Sequence, residues 1–415
     1  MMNNERSIIK GQTLLRRRNF NMVIEKIHVD GPITQREIAN STGISFAKVN
    51  KITSLLSEIG ITFENGKEQS NGGRRSTLFE INPNYRYSIG CQLSHTRVQT
   101  IIVNLKGEVL FESSKPYDKS IGREAVINLL LDSIEDIIKR SKIVNEKFLG
   151  VGIAIAGLFN PNDNTALLFP HLVKWDSVPF KEIIWEKFNL PCYINNLANA
   201  AALAEFNYGV GKGKDSILYL NIGTGLGMGI IFNGKLYEGI SGSAGEFGHI
   251  SVDDHGPLCE CGNLGCLEAI ASTKAVVNQA KTLLKQGVSS ILTTMINDNL
   301  TKLDFELICQ AANESDKLAY SLIDKMGQNL GEGIVTIINL FNPSRIILGG
   351  KIVHASNLIK NSILSIVQRR ALELPRRNTE IVFSEISNHA GALGSTIPII
   401  EHFFRERVND WISEK

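Results

Sequence analysis

Apolar residues at the start of the chain recur at the three- and four-residue spacing of amphipathic helices. One such run begins near Leu14 and ends at Gly31-Pro32. Thr34 and Glu37 then have the spacing of a capping box, which predicts a short helix that stops at Gly43. The residues that follow predict a second helix, and its apolar face would consist of Val49, Ile52, Leu55, Leu56 and Ile59.

Polar residues occupy the start and the other face of this second helix. A short helix, a glycine turn and a helix with a polar N-terminal end form a helix-turn-helix, whose second helix enters the major groove of DNA. After Gly60, two predicted strands enclose a glycine-rich loop, which is typical of a wing; a plain hairpin with solvated arginines is the alternative. The predicted DNA contacts are Arg16, Ser45, Phe46, Lys48, Asn50, Lys51, Arg74 and Arg75, although a charged helix face explains Arg16 equally well.

From Tyr85 onward the pattern changes to short apolar runs. Three of them predict a strand meander, which is followed by a helix over 125–139, a buried strand that begins at Phe148, and a further strand over 192–194. After a helix predicted from Asn199, the meander pattern recurs, which indicates two similar α/β lobes with a cleft between them. The predicted parts are a DNA-binding domain over 1–83, a first lobe over 84–198 completed by a C-terminal helix over 390–415, and a second lobe over 199–389.

The composition is that of a globular protein, with 43% hydrophobic and 21% charged residues among 415. No apolar run approaches the roughly 20 residues of a membrane helix, and no secretory signal is visible, so we expect a cytoplasmic protein without membrane contact. The net charge of +2 is uneven, because residues 1–83 hold 12 Lys and Arg against 8 Asp and Glu. This basic excess suits phosphate contacts, although a solvated surface would also produce it.

Three of the six cysteines, Cys259, Cys261 and Cys266, lie within eight residues that also include two glycines. Glycines allow the tight turns that aim successive thiolates at one point, and His249 lies ten residues upstream. The pattern predicts a Cys3His zinc site whose four protein ligands fill the coordination sphere, so the zinc would be structural. Buried or redox-active cysteines beside a surface histidine are the alternative.

Two glutamates flank this cysteine segment. Glu246 lies one turn before His249, and Glu268 follows Cys266 at the start of an apolar helical run. A metal at the cysteines would therefore fix two carboxylates beside one cleft, where they would suit sugar hydroxyls. Glu268 alone is also compatible with a solvated first helical turn.

These motifs resemble those of the ROK family, named for repressors, open reading frames and sugar kinases, and most of all its repressor branch, which includes xylose and N-acetylglucosamine repressors. The resemblance rests on the Glu246-Phe247-Gly248-His249 motif, the cysteine segment 259–266, the glycine loop 222–227 and the arginines of the first 83 residues. It implies an actin-like, ribonuclease-H-like two-lobed ATPase-type fold after the winged helix-turn-helix, with zinc at the Cys3His set. By the same resemblance, the sugar-binding residues would be Gly157, His171, Asn196, Glu246, His249 and Glu268.

The residues that a sugar kinase of this type needs are missing. Leu197 stands where such kinases have an aspartate base, and a hydrocarbon side chain cannot accept the proton of a sugar hydroxyl. The first phosphate loop is also altered, since Gln92 lacks a charge and Ser94 and His95 add side chains where backbone must approach phosphate. We therefore expect no enzyme activity.

The sequence thus predicts a repressor that is released from operator DNA when sugar binds between the lobes, and that acts as a homodimer or homotetramer. Xylose is the sugar that the resemblance favours. Two alternatives stay open: a sugar kinase with an unusual base, and a repressor that a protein partner controls while the sugar site is vestigial.

Overall fold

The structure is a computed structural model that describes residues 2–67, 76–118, 121–160, 165–168 and 178–407. Within these ranges the side chains of residues 2–14, 16, 158–160, 165–168, 406 and 407 are not described. Among the predicted contacts, Arg74, Arg75 and His171 therefore lie outside the described residues, as does the side chain of Arg16.

Three helices and a small antiparallel sheet form the N-terminal unit. The sheet has the order β1-β3-β2, and buried residues of all three helices pack with it in one hydrophobic cluster. The elements are α1 (Met2–Asp30), β1 (Ile33–Thr34), α2 (Gln35–Thr42), α3 (Phe46–Glu58), β2 (Thr62–Lys67) and β3 (Thr77–Ile81). Helix α1 begins at Met2, whereas the sequence predicted a start near Leu14. The prediction was too short because the amphipathic spacing on which it rested begins only near Leu14.

The capping box at the start of α2 is confirmed. The backbone N–H and the hydroxyl of Thr34 donate to Glu37 Oε2 at 2.9 and 2.8 Å, and the Glu37 N–H donates to Thr34 Oγ1 at 3.2 Å. These bonds, led by the Thr34 backbone N–H, lower the pKa of Glu37. The helix ends at Gly43, which has a left-handed φ of 69°, as the sequence predicted.

The first lobe contains a five-stranded sheet of order β10-β7-β4-β5-β6, in which the meander β4-β5-β6 is antiparallel and β7 and β10 are parallel to β4. A two-stranded hairpin, β8-β9, precedes helix α5. The elements are β4 (Tyr87–Ser94), β5 (Arg97–Asn104), β6 (Val109–Pro116), α4 (Arg123–Ser141), β7 (Phe148–Ile155), β8 (Leu158–Asn160), β9 (Thr165–Leu168), α5 (Phe180–Phe188) and β10 (Cys192–Asn196).

The second lobe repeats this topology, with the sheet order β13-β12-β11-β14-β15 and the same pattern of antiparallel and parallel pairs. The repeated meander is thereby confirmed. The elements from residue 197 onward are α6 (Leu197–Asn207), β11 (Ile217–Ile222), β12 (Leu226–Phe232), β13 (Lys235–Leu236), α7 (Leu267–Ala271), α8 (Thr273–Lys285), α9 (Leu292–Met295), α10 (Phe305–Asn313), α11 (Lys317–Phe341), β14 (Arg345–Gly349), α12 (Ser356–Arg370), α13 (Glu373–Asn378), β15 (Glu380–Phe383) and, returning to the first lobe, α14 (Ala390–His402).

Helix α6 begins at Leu197 rather than at Asn199, because the side chain of Asn196 caps it by accepting from the Ala198 N–H. A division of the chain between residues 198 and 199 would therefore cut this helix, and the lobe boundaries stay a prediction. None of the helices in the described ranges has the length and apolarity to cross a membrane.

Helix α14 packs against the first sheet and against α6. At the crossing with α6, a Cβ added to Gly394 would lie 1.6 Å from the carbonyl oxygen of Ala200, so the two backbones are in direct contact. The chain continues from α14 into a π-helical turn, Phe403–Arg407, whose Phe403 and Phe404 are buried in the same hydrophobic cluster as Ile24 of α1. Residues far apart in sequence thus join the N-terminal unit to the lobes.

We expect Gly394→Ala to lower the free energy of unfolding by about 3 kcal/mol or more, because a backbone carbonyl cannot move aside as a flexible side chain can. Thermal unfolding of the purified full chain measures the effect. Gly223→Ala is the matched control, since no heavy atom lies within 4 Å of its added Cβ. Equal melting temperatures for the two variants would contradict the close contact of α14 and α6.

Candidate functional site

A cleft of about 1020 Å³ lies between the two lobes. Its walls come from the ends of strands β4, β7 and β10 in the first lobe and from the β11–β12 loop, the cysteine segment and the start of α7 in the second. Five of the predicted sugar-binding residues line it, namely Gly157, Asn196, Glu246, His249 and Glu268. The structure therefore brings together residues that are more than a hundred positions apart.

The four predicted metal ligands form one cluster beside this cleft. The ligand atoms of His249, Cys259, Cys261 and Cys266 all lie within 4.8 Å of one another. Cys261 Sγ is 3.6 Å from Cys266 Sγ, and Cys259 Sγ is 3.7 Å from His249 Nδ1. In a tetrahedral site with bonds of about 2.3 Å, neighbouring donors stand roughly 3.7 Å apart. The cluster could therefore hold a four-coordinate metal ion.

Tight turns in the cysteine segment create this cluster. The Gly262 N–H donates to the Cys259 carbonyl at 3.0 Å, and the Cys259 N–H donates to the Asn263 carbonyl at 2.8 Å. Gly265 has a φ of 67°, and a Cβ there would lie 1.6 Å from the Asp253 carbonyl oxygen. Only glycine fits at position 265, and the turn that it permits brings Cys266 beside the other ligand atoms of the cluster.

The thiols of the cluster differ in acidity. Hydrogen bonding to the Asn263 backbone N–H lowers the pKa of Cys261 to about 7, so its thiolate forms readily. Burial raises the pKa of Cys259 and raises that of Cys266 to about 12. A cation among the sulfurs is the charge that would allow the two buried thiols to ionise as well.

His249 stands between the three cysteines of the cluster and the cleft. Its Nδ1 faces Cys259 Sγ at 3.7 Å, whereas its Nε2 lies 3.8 Å from Glu246 Oε2. The two ring nitrogens therefore face different partners. A histidine needs this arrangement if it is to bind a metal through one nitrogen and a ligand through the other. Burial is the main cause that raises the pKa of Glu246, with the neighbouring Glu268 adding to it and His249 opposing it.

Two of the predicted sugar-binding side chains already hold backbone segments in place. Glu268 Oε2 accepts from the Leu226 N–H at 2.8 Å, which leaves its second oxygen for the cleft. Asn196 Nδ2 donates to the Gly157 carbonyl at 3.0 Å, while its Oδ1 caps α6. These bonds orient both side chains before any ligand arrives, and a second amide N–H of Asn196 stays available.

Leu197 is the first residue of α6 and lies at the floor of the cleft. Its side chain is buried and packs with Ala154 and Ala200. Gln92, on β4, also lines the cleft. A neutral amide and a hydrocarbon therefore occupy the two positions at which kinase chemistry would need carboxylates.

Sequence reasoning missed a charged group on the opposite rim. Lys351 Nζ lies 2.9 Å from Glu306 Oε1, and His354 Nε2 lies 4.0 Å from the same oxygen. Glu306 Oε2 is buried without a hydrogen-bond partner among the described residues. The one feature of the sequence that could have placed Lys351 in the cleft was its position directly after Gly349 and Gly350, at the end of β14. Counting this group, the cleft is lined by five glutamates against one lysine and one arginine.

The predicted DNA-binding residues of the second helix share one exposed surface. Ser45 is the N-cap of α3, and the residues Ser45, Phe46, Lys48, Asn50 and Lys51 are all exposed. The opposite side of α3 is buried through Val49, Thr53 and Leu56. Phe46, a large apolar residue, keeps 53% of its surface exposed.

Comparison with known proteins agrees with the motifs. The chain is 33% identical over 388 residues to the xylose repressor of Caldicellulosiruptor bescii, covering 94% of this chain and 96% of that protein. It is 31% identical over 384 residues to the DNA-binding transcriptional dual regulator NagC of Escherichia coli (strain K12), covering 92% of each. The crystal structure of a ROK family transcriptional regulator, a homolog of the E. coli MLC protein, superimposes with a TM-score of 0.80 at 27% identity, over 96% of this chain and 98% of that one. Since the ROK family model also matches residues 88–401, the chain belongs to the ROK family.

Proposed function

We propose that the protein is a sugar-responsive transcriptional repressor of a carbohydrate-utilisation operon. The N-terminal unit binds operator DNA, and sugar bound between the lobes releases it. The observation that carries this proposal is the exposed polar surface of α3, presented by a chain whose relatives over more than nine-tenths of its length are named a xylose repressor and a DNA-binding transcriptional regulator. That surface has the position of a recognition helix in a helix-turn-helix.

A sugar kinase is the other class of protein in this family, and the cleft argues against it. Leu197 replaces the group that would take the proton from the attacking hydroxyl, a loss that typically costs about 10²–10⁴-fold in rate. Gln92 removes a second charge from the site. The cleft therefore keeps a binding surface without the groups for phosphoryl transfer.

Carboxylates and amides around a polar cleft suit a carbohydrate, because each carboxylate oxygen accepts hydrogen bonds from hydroxyl groups. Glu246 and Glu268 supply the acceptors, while His249 and Asn196 can donate. The excess of glutamates over basic residues in the lining favours an uncharged sugar over a sugar phosphate. Xylose is the candidate that the name of one relative suggests.

The Cys3His cluster would hold a structural zinc ion. Its donor set and spacing suit zinc, and four protein ligands leave no position open for a substrate. The ion would join the short 3₁₀ turn Phe247–His249, which directly follows Glu246, to the start of α7, which carries Glu268. Zinc would thus set the distance between the two carboxylates that contact sugar.

Helix α14 supports a physical route from the cleft to the DNA-binding unit. At its first turn, Gly391 lies against Leu197 and Gln92, both in the cleft floor. Beyond its end, the Phe404 ring lies 4.3 Å from the His28 ring of α1, and Asn21 donates to the Arg405 carbonyl at 2.9 Å. A lobe movement on sugar binding would therefore shift α1 and change the spacing of two recognition helices in a dimer or tetramer.

The first prediction from the proposed function concerns DNA binding. We expect the double variant K48A/K51A to bind operator DNA more weakly and to reduce the slope of log K against log salt by about 1–2, because each lysine that contacts phosphate releases a counterion. Titrations at several salt concentrations measure the slope. Lys26→Ala is the control, since Lys26 pairs with Asp30 on α1. An unchanged slope in the double variant would place the DNA contacts elsewhere.

The second prediction concerns the effector. We expect Glu246→Gln to weaken sugar binding by about 10–100-fold, because hydrogen bonds to a charged group are lost, while operator affinity without sugar stays unchanged. Operator release by free and phosphorylated sugars measures both. Glu238→Gln, a half-buried glutamate outside the cleft lining, is the control.

Two results of that experiment would count against the proposal. If no sugar weakens operator binding by the wild-type protein, control by a protein partner becomes the better explanation. If sugar binds equally well with and without operator, the cleft and the DNA-binding unit are not coupled.

The third prediction concerns the metal. We expect one zinc ion per chain, lost in Cys266→Ser and retained in Cys309→Ser, whose cysteine is buried in the second lobe away from the cluster. Elemental analysis of the purified protein measures the content. Loss of zinc should lower the melting temperature and the sugar response together, because Cys266 directly precedes α7 and Glu268. Full zinc content in Cys266→Ser would refute the assignment.

A further inference from the structure

Gln35, the first residue of α2, connects the two helices of the helix-turn-helix. Its side-chain Nε2 donates to Thr53 Oγ1 at 2.7 Å and to Asn50 Oδ1 at 3.1 Å, both on α3. The capping box of Thr34 and Glu37 fixes the backbone immediately before and after it. The half-buried side chain of Gln35 is therefore fixed, by its backbone and by its two hydrogen bonds, next to Asn50 on the exposed surface of α3.

Thr53 sets the direction of these hydrogen bonds. Its hydroxyl is buried and lies 3.1 Å from the Val49 carbonyl and 3.0 Å from the Asn50 carbonyl of its own helix. A hydroxyl has one hydrogen, and here that hydrogen is directed to the helix backbone, so toward Gln35 the oxygen accepts. Gln35 consequently turns its amide nitrogen to Thr53, and the second hydrogen of that nitrogen points to Asn50.

Asn50 is thereby oriented with its amide nitrogen toward the solvent. Its Oδ1 accepts from Gln35, so its exposed Nδ2 group offers hydrogen-bond donors. In the major groove, guanine presents the acceptors N7 and O6, adenine presents N7 and thymine presents O4, whereas cytosine presents only a donor. A donor group at this place therefore favours contact with guanine, adenine or thymine over contact with cytosine.

We propose that Gln35 is a positioning residue that turns the Asn50 amide nitrogen toward the DNA, so that Asn50 donates to a base at one position of each operator half-site. The proposal rests on the proposed DNA-binding function and adds to it the polarity with which one side chain recognises a base. Gln35 itself need not contact a base. A purely structural role for Gln35 would affect stability without changing which base is preferred.

The experiment selects binding sites from a library of random duplex DNA with the full-length protein, followed by sequencing. The wild-type selection defines the half-site, and Asn50→Ala identifies the position that Asn50 recognises, because the preference there disappears. We expect one such position in each half-site. If Asn50→Ala leaves the preference at every position unchanged, the proposal is overturned.

Two variants of Gln35 then test the positioning role. The carboxylate that Gln35→Glu introduces has only acceptors, so Asn50 should turn its Nδ2 inward and present Oδ1 to the groove. The preferred base pair at that position should then change, because Oδ1 needs the amino group of cytosine or adenine as its donor. In Gln35→Met, which keeps the length without hydrogen bonds, discrimination at that position should fall by about five- to tenfold.

Asn40→Glu is the control for added charge, because it places a carboxylate on the exposed surface of α2. It should weaken binding to all sequences without changing the preferred base. Thermal unfolding of each variant checks folding. If the wild-type protein enriches no sequence, the proposed DNA-binding function fails as well; if it enriches a site whose base preference both Gln35 variants leave unchanged, only the role of Gln35 is overturned.

Discussion

The direct packing of the α14 backbone against α6 and the first sheet is the contact on which the rest of the structure depends. Gly394 has no side chain where the Ala200 carbonyl approaches, and small residues continue along α6 through Ala201 and Ala204. This close approach fixes the cleft floor, because Leu197 begins the same α6 helix. It also provides, just beyond the end of α14, the buried surface on which α1 packs.

The second organising feature is the position of His249 between the three cysteines and the cleft. Since the two ring nitrogens of His249 face Cys259 and Glu246 respectively, the geometry of the cysteine cluster and that of the cleft cannot change independently. Glu268 is tied in the same way to the β11–β12 loop through the Leu226 N–H. Backbone hydrogen bonds and the cysteine cluster thus pre-arrange the polar groups of the cleft, which reduces the ordering that a ligand would have to impose.

Features with local signals could be predicted from the sequence, whereas features that depend on distant contacts could not. The capping box at Thr34 and the two meanders follow from spacing within a few residues, and both were predicted. The ion pair of Lys351 with Glu306 joins residues 45 positions apart, and the glycines before Lys351 do not indicate its partner. The role of Gln35 was missed for the same reason, since its partners lie on another helix and depend on how α2 and α3 cross.

The position of α14 in the chain also affects when the protein can finish folding. Strands β4 and β5, at residues 87–104, are covered by a helix that begins at residue 390, so about 290 residues must be synthesised before that cover exists. At about 5–20 residues per second, a ribosome needs roughly 15–60 s for this length. During that interval the apolar face of the nascent sheet stays uncovered, and α1 lacks the residues after α14 on which it packs, so chaperones are the components of the cell that would shield these apolar surfaces. The link between the two ends of the molecule is therefore among the last parts of the protein to form.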